Sequence, residues 1–332
     1  MDERGVQDER DAEEDREAAL RYAAQVGDLG AVEDLLDLGV HPDAPDDAGF
    51  TPLHYAMTRP PEAPHKDHLG VVRLLIARGA DPQATARDGG TLLIAAAASG
   101  LADVVAYLLD EEGARIDATL ASGAGALHAL IHGLIFWDES LPEEEEDEDV
   151  PPEAQAVYDA YLQSAQLLIA RGIDLGATLA ESGQTPLFGA AAYGLDDLVE
   201  AILASGRAAV DARDAYGLTP LAYAARSGAA STVSLLLEAG ADPDAQDPHG
   251  FTPLHHAVVA GTSRRSRPSS RAAPARTRAS PRTMARTGRA PRRSTWRGRP
   301  ASGVWRGTYP ARAAEGPRPG RPPIHSDPKG EP

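Results

Sequence analysis

Apolar residues along the chain fall into short clusters that recur at a fixed spacing. Each unit opens with a tetrapeptide like Thr-Pro-Leu-His, continues into small apolar residues, and leads to a second, Leu-rich cluster. The units begin at positions 18, 51, 91, 125, 185, 219 and 252. Four of the six steps between them are 33 or 34 residues, and the other two, of 40 and 60 residues, are that period plus an insertion. A period of this length indicates an architecture of stacked repeats.

The unit that begins at Thr219 predicts two helices and a polar connection. Thr219 suits a helix N-cap, and Pro220 suits the first helical position, where its missing N–H costs nothing. Gly228 ends the first helix, and Gly240 closes the second at a position that favours positive φ. The segment ADPDAQDPHG that follows is rich in turn residues. One such unit cannot bury both faces of its helices, so neighbouring units must stack.

The repeated unit resembles the ankyrin repeat. The resemblance rests on Thr-Pro-Leu-His at 51–54 and 252–255, on Gly-Ala-Asp at 79–81 and 240–242, and on the Leu-Leu pairs of the second helices. It implies an all-α solenoid of stacked helix-turn-helix units, in which projecting loops form a concave face. The resemblance also implies a structural role for the motif residues, which here are Thr51, Pro52, Leu53, His54, Thr185, Pro186, Thr219, Pro220, Thr252, Pro253, Leu254 and His255. Repeat four departs from the motif because Gly125 and Ala126 replace Thr-Pro, so a weak helix cap is expected there.

Three regions are expected along the chain. Residues 1–13 form an acidic N-terminal segment, and residues 14–262 form the solenoid, with six full repeats and a truncated seventh. Residues 263–332 form an Arg/Pro-rich tail without apolar periodicity, which we expect to be disordered.

Both insertions fall between the two helices of a repeat. Repeat two gains seven residues around RPPEAPHKDH, and repeat four gains about 26 residues near 134–158, including ten acids between Asp138 and Glu153. Composition favours a solvated, disordered loop for the second insertion. An acidic surface that attracts a basic partner is the alternative. A calcium loop is disfavoured, because the alternating ligands and central glycine of an EF-hand are missing.

The tail allows three interpretations. It is a basic arm for nucleic acid or acidic surfaces, a linker that folds back on the acidic body, or the product of a frameshift. The third is favoured, because reading a GC-rich back-translation one base earlier yields GDVAAVEALLAGGAGPDARVPPDHG, which has the register of a second ankyrin helix and its turn. The junction would lie near residues 260–262, at the turn between the helices of repeat seven.

Charge separates the body from the tail. The first 262 residues hold 14 basic and 47 acidic residues, whereas residues 263–332 hold 18 basic and three acidic residues. The chain has no cysteine, which excludes disulfides, thiolate zinc sites and a cysteine nucleophile. No apolar run follows the basic pattern of a signal peptide or reaches the length of a membrane span. We therefore expect a cytoplasmic and monomeric protein.

Sequence motifs give no support to catalysis. His128 and His132 are four residues apart, but the glutamate of a zinc-protease HExxH motif and a third ligand are absent. His65 and His68 lie in a predicted loop, and His54 and His255 belong to the structural motif. Neither a phosphate-binding loop nor a GxSxG elbow is present. The sequence predicts a protein that is not an enzyme and has no metal or cofactor site.

Protein binding is the function that remains. By register, variable side chains at the loop tips and at the ends of the first helices face the concave surface, and aromatic and arginine side chains dominate interface hot spots. The candidates are Phe50, Tyr55, Arg59, Tyr193, Tyr216, Arg226, His249 and Phe251. Phe50 and Phe251 have the alternative role of covering the underlying repeat. The acidic body favours a basic protein partner and disfavours nucleic acid. Adaptor, inhibitor and immunity-type roles fit this pattern; a nucleic-acid-associated regulator using the basic tail is the alternative.

Overall fold

A computed structural model describes residues 3–58, 67–140 and 152–265. Arg59, His65, the centre of the acidic insertion and the predicted tail beyond residue 265 lie outside these ranges. No helix within the ranges is both long and apolar enough to cross a membrane.

Helices account for all of the regular structure in the described ranges, apart from two isolated β-bridges. Six helix pairs and a last helix correspond to the seven predicted units, so the all-α solenoid is confirmed. The helices are α1 Glu3–Gln25, α2 Leu29–Asp37, α3 Pro52–Ala56, α4 His68–Ala77, α5 Leu92–Ala98, α6 Ala102–Asp110, α7 Ala126–Ser140, α8 Pro152–Ala170, α9 Pro186–Tyr193, α10 Asp196–Ala204, α11 Pro220–Ser227, α12 Ala230–Glu238 and α13 Pro253–Arg265.

Threonine and proline set the start of the first helices. Thr51, Thr185 and Thr219 are N-caps with extended backbones, and each is followed by proline in the first turn. In repeat two, Thr51 Oγ1 lies 2.9 Å from His54 Nδ1, and the Thr51 N–H donates to the same nitrogen. The second bond gives a partner to an N–H at the start of the helix, which the helix itself cannot supply. Gly194 and Gly228 end α9 and α11 in the left-handed region, with φ of 69° and 80°.

The acidic N-terminal segment is part of α1, which runs unbroken from Glu3 into the first repeat. Residues 11–16 are exposed, and the first fully buried side chain is Leu20. The segment contains three Glu and two Arg, which favour helix, and its only glycine, Gly5, lies in the first turn. The acidic segment is therefore a helical extension of repeat one.

The expected loop over residues 134–158 is wrong at both ends. Helix α7 continues to Ser140 and α8 begins at Pro152, so the two helices extend into the insertion from either side. Burial explains the extension, because Leu134 and Val157 are almost completely inaccessible. Tyr161 also donates from its hydroxyl to the Ala98 carbonyl of repeat three at 2.9 Å.

The turn expected at residues 260–262 is also wrong, because α13 continues through Gly261 to Arg265. No proline occurs between Pro253 and Pro268, so nothing in this stretch forces the helix to stop.

Stacked leucines form the centre of the core. The leucine two residues after each unit's start is at most 2% exposed in the first six units, where it lies between neighbouring repeats. These residues are Leu20, Leu53, Leu93, Leu127, Leu187 and Leu221. The equivalent Leu254 of the seventh unit is 72% exposed. The burial of this leucine thus depends on a further repeat on its C-terminal side.

Equal truncations at Leu187 and Leu254 should have very different effects. Leu187→Ala removes a fully buried side chain, so the free energy of unfolding should fall by about 2–5 kcal/mol. Leu254→Ala should change it by less than about 0.5 kcal/mol, because the side chain is already in solvent. Urea denaturation followed by circular dichroism measures both. Equal losses would contradict the stacking argument.

Candidate protein-binding surface

An aspartate holds the tip of several loops that precede the first helices. One carboxylate oxygen of Asp46 accepts from the N–H groups of Ala48 and Phe50 at 2.9 and 2.8 Å. Asp214 does the same for Tyr216 and Leu218, at 2.9 and 2.8 Å. Asp247 repeats the pattern with His249 and Phe251, at 2.8 and 2.9 Å. The residue two positions after the aspartate is thereby fixed at the tip of the loop.

The second oxygen of the same aspartate binds a side chain nine residues later. Tyr55 donates its hydroxyl to Asp46 at 2.9 Å, and Tyr223 donates to Asp214 at 2.8 Å. His256 Nε2 lies 3.1 Å from Asp247 in the seventh unit. Burial, helped by the adjacent carboxylate, raises the pKa of each tyrosine hydroxyl to about 12. Both tyrosines therefore connect a loop to a first helix as neutral hydrogen-bond donors.

Tyr223 was not among the sequence candidates, yet it organises the surface around Arg226. The Arg226 guanidinium lies over the Tyr223 ring, 4.5 Å from the centroid. The Tyr223 ring also packs edge-to-face with the Phe188 ring. Gln184 also donates to the Tyr223 hydroxyl at 2.7 Å. The signal that could have found Tyr223 is its register, which is the same as that of Tyr55.

The eight predicted residues separate into two groups. Phe50 is half-buried and meets the edge of His54, with ring centroids 5.6 Å apart; Tyr55 and Tyr193 are also half-buried. Arg59 lies outside the described residues. Four candidates are exposed, with Tyr216 at 61% and Phe251 at 42%. We call these four the C-terminal cluster: Tyr216, Arg226, His249 and Phe251.

Contacts between the loop tips place the cluster on adjacent repeats. Arg213 donates to the Gly217 carbonyl at 2.9 Å and to the Gln246 carbonyl of the next loop at 2.6 Å. Gly217 packs so closely against Pro248 that an added Cβ would lie 2.6 Å from the proline ring. Tyr216 and His249 therefore occupy neighbouring tips, whereas Phe50 and Tyr55 belong to repeat two. Arg226 and Phe251 belong to the same two repeats as these tips.

Many arginines of the stack bind neighbouring repeats. Arg78 contacts Asp37 at 2.8 Å, and Arg171 forms a two-pronged pair with Asp110. Arg207 donates to the carbonyls of Ile169 and Ile173 in the preceding repeat. These arginines therefore hold successive repeats together.

Buried histidines join successive repeats through the next unit's backbone. His54 Nε2 lies 3.4 Å from the Gly90 carbonyl, and His128 Nε2 lies 3.2 Å from the Gln184 carbonyl. Burial lowers the pKa of His128 to about 4, although the hydrogen bond to Gln184 opposes the shift. The described ranges contain no group of three or more His, Asp or Glu residues arranged to hold a metal ion.

Comparison with known proteins matches this arrangement to one family. The sequence pattern described as "Ankyrin repeats" matches in three copies, over residues 3–86, 20–119 and 154–247. The ankyrin repeat domain of Bcl-3, described as a member of the IkappaB protein family, superimposes with a TM-score of 0.52 at 27% identity, covering 72% of this chain and 92% of that one.

Two curated relatives contain a similar stretch within much longer chains. The E3 ubiquitin-protein ligase KEG of Arabidopsis thaliana is 28% identical over 278 residues, covering 69% of this chain and 17% of the relative. The nuclear factor NF-kappa-B p105 subunit of Gallus gallus is 30% identical over 194 residues, covering 58% and 16%. The chain thus spans less than a fifth of either relative. The similarity supports an interaction module of a kind that is typically non-catalytic, and does not carry over the ligase activity.

Acid should destabilise the protein partly through His128. Its pKa of about 4 in the folded state lies below its usual value near 6.5, so the unfolded chain binds more protons between those pH values. The contribution of neutral His128 to the stability of the folded state is complete above pH 6.5 and is lost as the pH falls toward 4. Between pH 7 and pH 5, the titration of His128 should lower the free energy of unfolding by about 2 kcal/mol.

Urea denaturation of His128→Gln at pH 7 and pH 5 checks this prediction. Glutamine can still donate to the Gln184 carbonyl but does not titrate, so the variant should lose about 2 kcal/mol less than wild type over this interval. His249→Gln is the matched control, because it makes the same substitution at an exposed histidine. Identical profiles for all three proteins would contradict the role of His128.

Proposed function

The chain belongs to the ankyrin-repeat family, and from that premise we propose that it is a non-catalytic scaffold that binds a protein partner through the C-terminal cluster. Ankyrin repeats generally mediate protein–protein interactions. The roles compatible with such a scaffold are adaptor, inhibitor or immunity-type partner.

Exposure of Tyr216 is the observation that carries the proposal. Tyr216 is 61% exposed at a loop tip, and Asp214 accepts a hydrogen bond from its backbone N–H. A tyrosine displayed on a fixed backbone loses little conformational entropy on binding. Arg226 and Phe251 lie on the same two repeats, and aromatic and arginine side chains contribute most of the energy at interfaces.

Charge favours a basic partner. The first 262 residues carry 47 acidic against 14 basic residues, and several of the arginines are engaged between repeats. A partner with a positive surface would be steered toward the scaffold by long-range attraction. The same charge would repel a phosphate backbone from the repeats. A nucleic-acid role would have to use the basic tail, which lies outside the described residues.

Alanine substitution in the C-terminal cluster should weaken partner binding selectively. A partner captured by the full chain and identified by mass spectrometry should bind Tyr216→Ala at least about tenfold more weakly, because a hot-spot residue contributes more than about 1.4 kcal/mol. The matched control is Tyr22→Ala, which removes a tyrosine that is 65% exposed in the first repeat and should change the Kd less than threefold.

Two outcomes would overturn the proposal. Equal effects of Tyr216→Ala and Tyr22→Ala would remove the cluster as the binding surface. Salt-dependent binding of labelled DNA that is lost on deleting residues 263–332, with no captured protein, would favour the nucleic-acid role instead.

A further inference from the structure

A cavity of about 250 Å³ lies between the third, fourth and fifth repeats. Its loop walls are residues 116–119, Ile173, Asp174 and Ala177. Gly125 just before α7, Leu127 and His128 in its first turn, and Pro186 of α9 complete the lining. The volume is below the roughly 300–1,000 Å³ of pockets for drug-sized ligands. It is therefore suited to a single side chain or a small organic cation.

Replacement of threonine by Gly125 changes the hydrogen bonding of a buried histidine beside this cavity. In repeats two and seven, the histidine Nδ1 lies 2.9 and 2.8 Å from the hydroxyl of the capping threonine. Repeat four keeps the histidine, His128, but has no hydroxyl at position 125. The His128 side chain is 6% exposed and lines the cavity.

The tautomer of His128 follows from its other contact. Its Nε2 faces the Gln184 carbonyl at 3.2 Å, so that nitrogen carries the proton and Nδ1 is an acceptor. Nδ1 has no hydrogen-bond donor within the described residues. The cavity is thus lined by a buried side chain with an unused acceptor.

One carboxylate at the cavity, that of Asp117, also departs from the pattern of the other repeats. Asp43 accepts from the Asp81 N–H of the next repeat at 3.0 Å, and Asp211 accepts from the Asp242 N–H at 3.0 Å. The same register would join Asp117 to the Asp174 N–H. Instead, Asp117 has no hydrogen bond or ion pair in the described part of the chain. Asp174 keeps the regular bond from the N–H two residues later, that of Gly176 at 2.8 Å, which Asp81 and Asp242 also make.

Apolar side chains complete the lining of the cavity. Ile116, Leu127, Ile173 and Pro186 provide hydrocarbon walls, while Asp117 and Asp174 are exposed and reachable by a ligand. A ligand that matches these groups has an aliphatic stem and a cationic head with several N–H donors. Guanidinium fits better than ammonium, because it presents five donors in a plane to carboxylate and imidazole acceptors.

We infer that this cavity binds the side chain of an arginine presented by a polypeptide. The inference does not rest on binding at the C-terminal cluster, because none of the eight residues predicted from the sequence lines the cavity.

Titration of the full chain with N-acetyl-arginine-N-methylamide tests the inference. Saturable changes in the NMR signals of His128 and its neighbours are expected with the arginine probe. The neutral citrulline analogue should bind at least about tenfold more weakly, which corresponds to about 1.4 kcal/mol of binding free energy. The lysine analogue should bind more weakly than the arginine probe. Equal binding of the arginine and citrulline probes, or no saturable binding, would overturn the inference.

Three variants locate the site. Asp117→Asn combined with Asp174→Asn should weaken arginine-probe binding at least about tenfold, whereas Asp47→Asn, which neutralises an exposed carboxylate in repeat two, should leave it unchanged. Gly125→Thr should abolish binding by restoring a hydroxyl beside His128 Nδ1. A Cβ at position 125 has room, since its nearest neighbours are the Ala118 oxygen at 3.6 Å and Thr119 Cγ2 at 3.9 Å. The unfolding temperature of this variant should therefore be no lower than that of wild type.

The variants test where the cation binds, and a second probe tests whether it must come from a polypeptide. Unchanged binding in Gly125→Thr, or in the double aspartate variant, would place the probe elsewhere and overturn the inference. Butylguanidinium carries the same head group without peptide bonds. If it binds and the arginine probe does not, the cavity accepts a free guanidine and a polypeptide source is excluded.

Discussion

Every repeat of this protein depends on its neighbours for the burial of its core. The leucine two residues after a unit's start is inaccessible where another unit stacks on it, and its counterpart in the last described helix is in solvent. The histidine bonds from one repeat to the carbonyl of the next follow the same direction. Stability is therefore a property of interfaces between repeats, and a change in one unit acts on its neighbour.

Sequence reasoning succeeded where a local residue type determines the backbone. Thr219 with Pro220 begins α11, and Gly228 ends it in the left-handed region, so this helix could be located within a residue. It failed around the insertion of repeat four, because α7 and α8 extend by burying residues such as Leu134 and Val157 against other repeats. Composition alone indicated a loop there, since the acidic residues conceal the apolar positions beside them.

Binding candidates of the same residue type differ in burial, and their spacing from an aspartate accounts for the difference. Tyr55 and Tyr216 are both tyrosines near a loop tip, but Tyr55 reaches an aspartate nine residues earlier and is half-buried. Tyr216 has no such register with an aspartate, because Asp214 lies only two residues before it and holds its backbone. The spacing Asp-to-Tyr or Asp-to-His of nine residues recurs at three loops and was visible in the sequence. It identifies Tyr55 and Tyr223 as tyrosines that join a loop to a helix.

Departures from a repeat pattern have two different physical consequences in this chain. At the loop tips the aspartate is retained and the displayed residue changes, so variation there leaves the scaffold undisturbed. At position 125 the variation removes a scaffold group instead, and the buried imidazole beside it keeps an acceptor that the fold no longer satisfies. A ligand with an N–H or O–H donor can therefore take the place of the missing hydroxyl beside this imidazole. The irregular unit of a repeat protein is therefore as informative about binding as its variable surface.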